Sequence, residues 1–184
     1  MKYKSERIYL SEFTREDFDL FHSVFSNDQV MKYALIDKYT SREDILPYFE
    51  EVLENNSSKE DRKAYEFAVY LNTNGHFIGF AGIEIYKKNT SGGCGEIGYF
   101  LLPQHWGNGY ATEISKLLIA ISFKEIKLHR VAARCNANNL KSEKVMQKLG
   151  MTKEGEFRKV RFKDNQWVNE QEYCILVEEW KQDN

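Results

Sequence analysis

Cysteine and proline are scarce in this chain: 184 residues hold three of the first and two of the second. Cys94, Cys135 and Cys174 are odd in number and far apart, so they fit neither a disulfide framework nor a C-x-x-C metal pattern. That usage suits a reducing compartment and predicts a cytoplasmic protein. No apolar run reaches the length that crosses a bilayer, and MKYKSERIYL at the start holds no hydrophobic signal core. No membrane partner is expected. Long blocks of one charge are also missing, and the net charge is −2. A nucleic-acid binder depends on a cationic face, so no nucleic-acid partner is expected. His22, His76, His105 and His129 are scattered, no His/Cys/carboxylate group has ligand spacing, and no metal is predicted. Low-complexity segments and internal repeats are absent.

What is present is apolar substance. Hydrophobic residues make up 42% and aromatic residues 14%, enough for one domain over residues 1–184 with a real core. ERIYLSEF reads as a strand. TRED at Thr14 has capping-box form, with Asp17 in place of the usual Glu, and Phe18, Phe21, Val24 and Phe25 follow at helical spacing. SRED at Ser41 opens a second helix toward Asn55, with Pro47 as a late start or a kink. Residues 65–71 and 76–86 read as strands joined by a turn at Gly75. KKNTSGGCG reads as a mobile loop, and residues 96–102 as a central strand, apolar on both faces toward its end. Ile114, Leu117, Leu118 and Ile121 mark a helix. A strand at 130–135 leads to a helix with Leu140, Val145, Met146 and Leu149 inward and Gly150 as its stop. Two long strands, GEFRKVRF and WVNEQEYCILVEEW, end the chain. The order predicts an α/β sandwich, a mixed sheet with helices on both sides. An exposed C-terminal strand leaves monomer or homodimer open.

The stretch PQHWGNGYATE stands between the central strand and a helix. One reading of Gly107 and Gly109 is a plain strand-to-helix turn. The other is an anion cradle, because a helix start offers unpaired N–H groups and a positive dipole end, and glycine lets a phosphate approach the backbone. No Gly-Lys-Ser/Thr follows, which excludes the NTPase loop, and a third glycine is missing for a dinucleotide fingerprint.

QHWGNGYATE resembles the acyl-CoA pyrophosphate loop of the GNAT N-acetyltransferase superfamily, with Gln104, Gly107 and Gly109 on its Gln/Arg-x-x-Gly-x-Gly/Ala pattern. With Asn139, Ser142, Val145, Met146, Lys148, Leu149, Gly150 and Met151, it is similar to the ribosomal-protein N-terminal acetyltransferase branch. The resemblance is strong after residue 95 and weak before residue 60. It implies a largely antiparallel sheet whose splayed central strands form an acetyl-CoA cleft. It also implies backbone contacts to pantetheine from Tyr99, Phe100, Leu101 and Leu102, and pyrophosphate over Gln104, Gly107, Asn108, Gly109, Tyr110 and Ala111. Asn139 would hydrogen-bond pantetheine, or else cap its helix.

Acetyl transfer needs a neutral amine, and amines are mostly protonated at pH 7. A base helps. Glu96 is the candidate, with a salt-bridged or solvent-facing Glu as the alternative, and Glu84 is a second candidate. The oxyanion donor is expected at a main-chain N–H around Phe100 or Leu101. Many members place a Tyr where Met146 stands, so the general acid departs from their pattern. Ser142 stands in as a partner for the sulfur, or is only a first-turn Ser. The helices of residues 14–55 and the last hairpin would flank the acceptor, with Tyr33 and Tyr39 among their rings. The expected acceptor is an amine-bearing protein N-terminus or a small-molecule amine. A silent CoA-binding sensor and a nucleotide-binding protein are the competing readings.

Overall fold

A computed structural model describes residues 2–58 and 62–180. Short β1 (Lys2–Lys4) and β2 (Ile8–Glu12) lead to a turn of 3-10 helix at Arg15–Asp17. There the Asp17 carboxylate accepts from Thr14 N–H at 2.7 Å and Thr14 Oγ1 at 2.8 Å. Next come α1 (Phe18–Phe25), α2 (Asp28–Met31) and α3 (Arg42–Ser57), the last capped by Ser41 Oγ accepting from Asp44 N–H at 3.0 Å. Pro47 sits inside α3 on its exposed side, where the carbonyl it leaves unpaired can meet water. After β3 (Ala64–Leu71), β4 (Phe77–Asn89) and β5 (Gly92–Leu101) come α4 (Tyr110–Lys124), β6 (Arg130–Asn136), α5 (Leu140–Lys148), β7 (Thr152–Lys163) and β8 (Gln166–Leu176).

Among the described residues the strands form one sheet of eight, in the order β1-β2-β3-β4-β5-β6-β8-β7. Every pair is antiparallel except β5 with β6. One face packs α4 and α5 through Ile114, Leu118, Ile121 and Met146 against Phe67, Ile83 and Ile97. The other packs α1 to α3 through Phe21, Phe25, Ile45 and Phe49 against Ala68 and Phe80. This is the expected mixed, largely antiparallel α/β sandwich. No helix among the described residues is long and apolar enough to cross a membrane.

Four local expectations need correction. The stretch KKNTSGGCG is strand and tight turn rather than mobile loop, since β4 runs to Asn89 and β5 starts at Gly92. Its glycines serve close approach: a Cβ at Gly93 would fall 2.6 Å from the Lys87 carbonyl oxygen, and one at Gly95 would fall 2.6 Å from that of Glu84. Leu140, expected inward, is 59% exposed, because it is the first residue of α5 and points off its end. The last strand stops at Leu176, and Trp180 turns back onto Phe123, with ring centroids 5.4 Å apart. That strand is also internal, and β7 takes the sheet edge.

Candidate functional site

β5 and β6 pair over only three positions: Cys94 with Arg130, Gly95 with Val131, and Glu96 with Ala132. β5 then stays on β4 as far as Leu101, and β6 stays on β8 as far as Asn136. Each strand keeps its outer partner and loses its inner one, so a wedge opens in the middle of the sheet. Backbone groups along a strand alternate in direction. The Gly93 carbonyl accepts from His129 N–H at 2.7 Å on the β6 side, and Leu102 N–H donates to the Ile78 carbonyl at 2.9 Å on the β4 side. Counting from both, the main-chain groups of Ile97, Tyr99 and Leu101 face the wedge. Those of Phe100 face β4, where its carbonyl oxygen would lie 2.1 Å from any Cβ at Gly79. Of the two expected oxyanion donors, Leu101 thus faces the wedge, and Phe100 turns its main chain away. The Leu101 carbonyl accepts from the Trp106 indole N–H at 2.7 Å.

At the open end of the wedge, Leu102 leads into a 3-10 turn at Pro103–His105, with Gln104 exposed on it. Gly107 and Gly109 both have φ of 80°, the left-handed region that side chains disfavour. A Cβ at Gly107 would meet nothing within 4 Å, and at Gly109 the nearest atom would be Arg7 Nη2 at 3.5 Å. Crowding by the protein is not why these are glycines. Gly109 holds the cap position of α4, and no side chain caps that helix. Its first internal bond runs from Glu113 N–H to the Gly109 carbonyl at 3.2 Å. The N–H groups of Tyr110, Ala111 and Thr112 therefore have no helical partner. Asn108 folds its amide back onto the carbonyls of His105 and Trp106, at 3.3 and 3.1 Å, and so stiffens the turn.

Sequence reasoning passed over Arg7. Its guanidinium donates to the Asn108 carbonyl at 2.9 Å, pairs with Glu113 at 2.7 Å and lies 4.9 Å above the Tyr110 ring. Burial would raise the Glu113 carboxyl, but hydrogen bonds from Ser5 and Arg7 outweigh it and hold the group below its ordinary value. The one acidic side chain in the first turn of α4 is thereby neutralised. No local signal could reveal this, because the partners stand 106 residues apart.

Beside the wedge, Asn139 Oδ1 accepts from Ser142 N–H at 3.2 Å, so the capping alternative is realised and the amide Nδ2 is what remains for a ligand. Burial pushes the pKa of the Tyr99 hydroxyl up, and the neighbouring Ser142 side chain pulls it back. Tyr99, missed as a side-chain contributor, thus joins the strand to the start of α5. Met146 is only 3% exposed and belongs to the core. On the opposite face, Glu96 stands at the apex of the wedge and takes two contacts from Arg134 at 2.8 Å. Burial pushes its carboxyl up, Arg134 pulls it down, and the balance stays above the ordinary value. The salt-bridged alternative is therefore present, yet the side chain also lines a cavity of about 400 Å³ with Glu84, Tyr86, Arg130, Arg134 and Glu172. Glu84 lies directly across from Glu96 on β4.

Residues 7–152 match the family model described as an acetyltransferase (GNAT) domain. The uncharacterized N-acetyltransferase YnaD of Bacillus subtilis is 33% identical over 98% of this chain and 99% of its own. A crystal structure of a GNAT-family acetyltransferase from Bacillus anthracis superposes with a TM-score of 0.79 at 33% identity, over 97% of this chain and 100% of that one. A spermidine N-acetyltransferase from Vibrio cholerae, solved with CoA and spermine, shares the fold with a TM-score of 0.81 at 19% identity, over 94% and 96% of the two chains. Wedge, uncapped turn and sequence kinship agree, and the chain belongs to the GNAT family of N-acetyltransferases.

Proposed function

We propose that this wedge carries acetyl-CoA and passes its acetyl group to a primary amine on a small molecule. The carrying observation is the coincidence of two vacant donor sets. The main-chain groups of Tyr99 and the N–H of Leu101 face the wedge, and the bare N–H groups of Tyr110, Ala111 and Thr112 stand at its mouth. The first set suits an extended amide chain added like a strand. The second suits a diphosphate. Gln104, Gly107, Asn108 and Gly109 complete that cradle, Leu102 leads into it, and the Asn139 amide meets the chain from the start of α5.

In the transfer, the amine lone pair forms a C–N bond to the thioester carbonyl. A main-chain N–H of β5 that faces the wedge toward its Glu96 end meets the oxyanion. The C–S bond then breaks with its electron pair going to sulfur. One proton leaves the amine toward Glu96, directly or through water, and one reaches the thiolate from the Ser142–Tyr99 pair. A thiol pKa of about 8.5 makes that last proton helpful rather than obligatory. The spermine-bound neighbour supports a small-amine acceptor.

A protein N-terminus is the second reading, favoured by the Asn139–Met151 segment that resembles the ribosomal-protein branch. Thiol release from acetyl-CoA, measured against alkylamines, polyamines, amino sugars and N-terminal peptides, tests both. The expected result is turnover with small amines. Turnover with peptides alone would favour the second reading, and tight CoA binding without any turnover would favour a sensor.

A further inference from the structure

The face that carries Glu96 holds another carboxylate, Glu66 on β3. Strand register sets Glu66 opposite Gly82, and Gly82 opposite Gly98. The flanking row on one side is Glu84 and Glu96, and on the other it is Phe80 and Phe100. Gly98 therefore opens a slot on β5, with carboxylates along one wall and rings along the other, and over Gly82 the Phe80 ring and the Glu66 stem close it. A Cβ at Gly98 would meet nothing within 4 Å, whereas one at Gly82 would touch the Phe80 ring at 3.4 Å and Glu66 Cγ at 3.6 Å. Exposure falls the same way, from exposed Gly98 through half-buried Gly82 to Glu66 at 7%.

At the closed end the Tyr48 hydroxyl donates to Glu66 Oε1 at 3.1 Å, and Tyr39 stacks on Tyr48 at 6.3 Å. Glu66 Oε2 is buried with no hydrogen-bond partner among the described residues. Leaving a buried acceptor unsatisfied is costly, and native proteins rarely do so without a use for it.

We propose that this slot receives the acceptor as a linear amine with a second ammonium group, Glu66 taking that remote ammonium while the reacting nitrogen lies beside Glu96. The inference rests on the acetyl-transfer reading and adds the substrate class. β3 and β5 lie about 10 Å apart, and a hydrogen bond spans about 3 Å of that, which suits a chain of roughly four to six carbons. Around Glu66 stand Tyr48 and Glu51 from α3, Arg62 ahead of β3, and Glu84 from β4. Burial dominates there and holds the carboxyl at about 7, so cation binding strengthens as pH rises through that value.

The test compares kcat/KM for α,ω-diamines of three to eight carbons with that for monoamines of equal length, at pH 6 and pH 8.5. Wild type, Glu66→Gln and Gly98→Val are assayed, and the diamines are titrated calorimetrically into CoA-loaded protein. The slot predicts a diamine preference of about tenfold or more, larger at pH 8.5 and greatest at four to six carbons. Glu66→Gln should erase that preference, and Gly98→Val should weaken diamine binding. Equal use of mono- and diamines, or a preference that survives in folded Glu66→Gln, overturns the proposal. If Glu66→Gln fails to fold, unchanged diamine binding in Gly98→Val overturns it instead. Glu66-dependent diamine binding without any acetyl transfer would sink the transfer reading while supporting the slot.

Discussion

At the scale of single residues, two carboxylates carry the electrostatic argument. Glu96 is pushed up by burial and pulled back by Arg134. Removing the pull must raise it further. Arg134→Ala is expected to move the acidic limb of the kcat/KM–pH profile toward alkaline pH, and Glu96→Gln to flatten that limb. A limb that ignores both variants would remove Glu96 from the proton path. Glu66 has the other consequence. Its folded value of about 7 lies above the ordinary 4.5, so between those values the folded chain binds more proton than the unfolded one. Stability must then fall as pH rises through that window. Glu66→Gln should raise Tm at pH 8 and change it little at pH 4.5; equal shifts at the two values would mean that Glu66 does not titrate there.

At the scale of elements, the mouth of the wedge is built from parts far apart in the chain. The two glycines and the start of α4 were legible in PQHWGNGYATE because both the φ requirement and the helix start are local. Arg7 was not legible, because its partners arrive only when β2 joins the sheet beside β3. Arg7→Ala is expected to weaken CoA binding about three- to tenfold, through lost positive charge and a looser Asn108 turn. Titration calorimetry checks this, and unchanged affinity would reduce Arg7 to a strut. The glycines of the β4–β5 turn were misread as mobility for a related reason. A glycine placed to let two backbones meet looks the same in sequence as one placed for freedom, and only the 2.6 Å clashes distinguish them. Lys163 shows a further long-range tie. It is 8% exposed, and its ammonium donates to the carbonyls of Ala34 and Ile36 at 2.8 and 2.9 Å, pinning the loop that precedes α3 to the last hairpin. Lys163→Met should free that loop, which faster amide exchange over residues 32–40 would report.

At the scale of the molecule, the order of strands and helices was readable from hydrophobic period and turn chemistry, so the sandwich was expected. The wedge itself was not readable from period. It depends on β5 and β6 parting after Glu96 and Ala132, and the apolar pattern of each strand continues unchanged across that point. Resemblance implied the splay, and register located it. Backbone alternation then turned the Phe100 main chain away from the wedge and left that of Leu101 facing it, which side-chain patterns could not reveal. The account as a whole stands on the vacant amides at the start of α4. Calorimetric titration of acetyl-CoA into wild type and Gly109→Val tests it most directly, with circular dichroism to show that both are folded. The account predicts binding of one equivalent by wild type and affinity at least about tenfold weaker in the variant, where a side chain occupies the place of the phosphate. Equal affinity in the two folded proteins would contradict it.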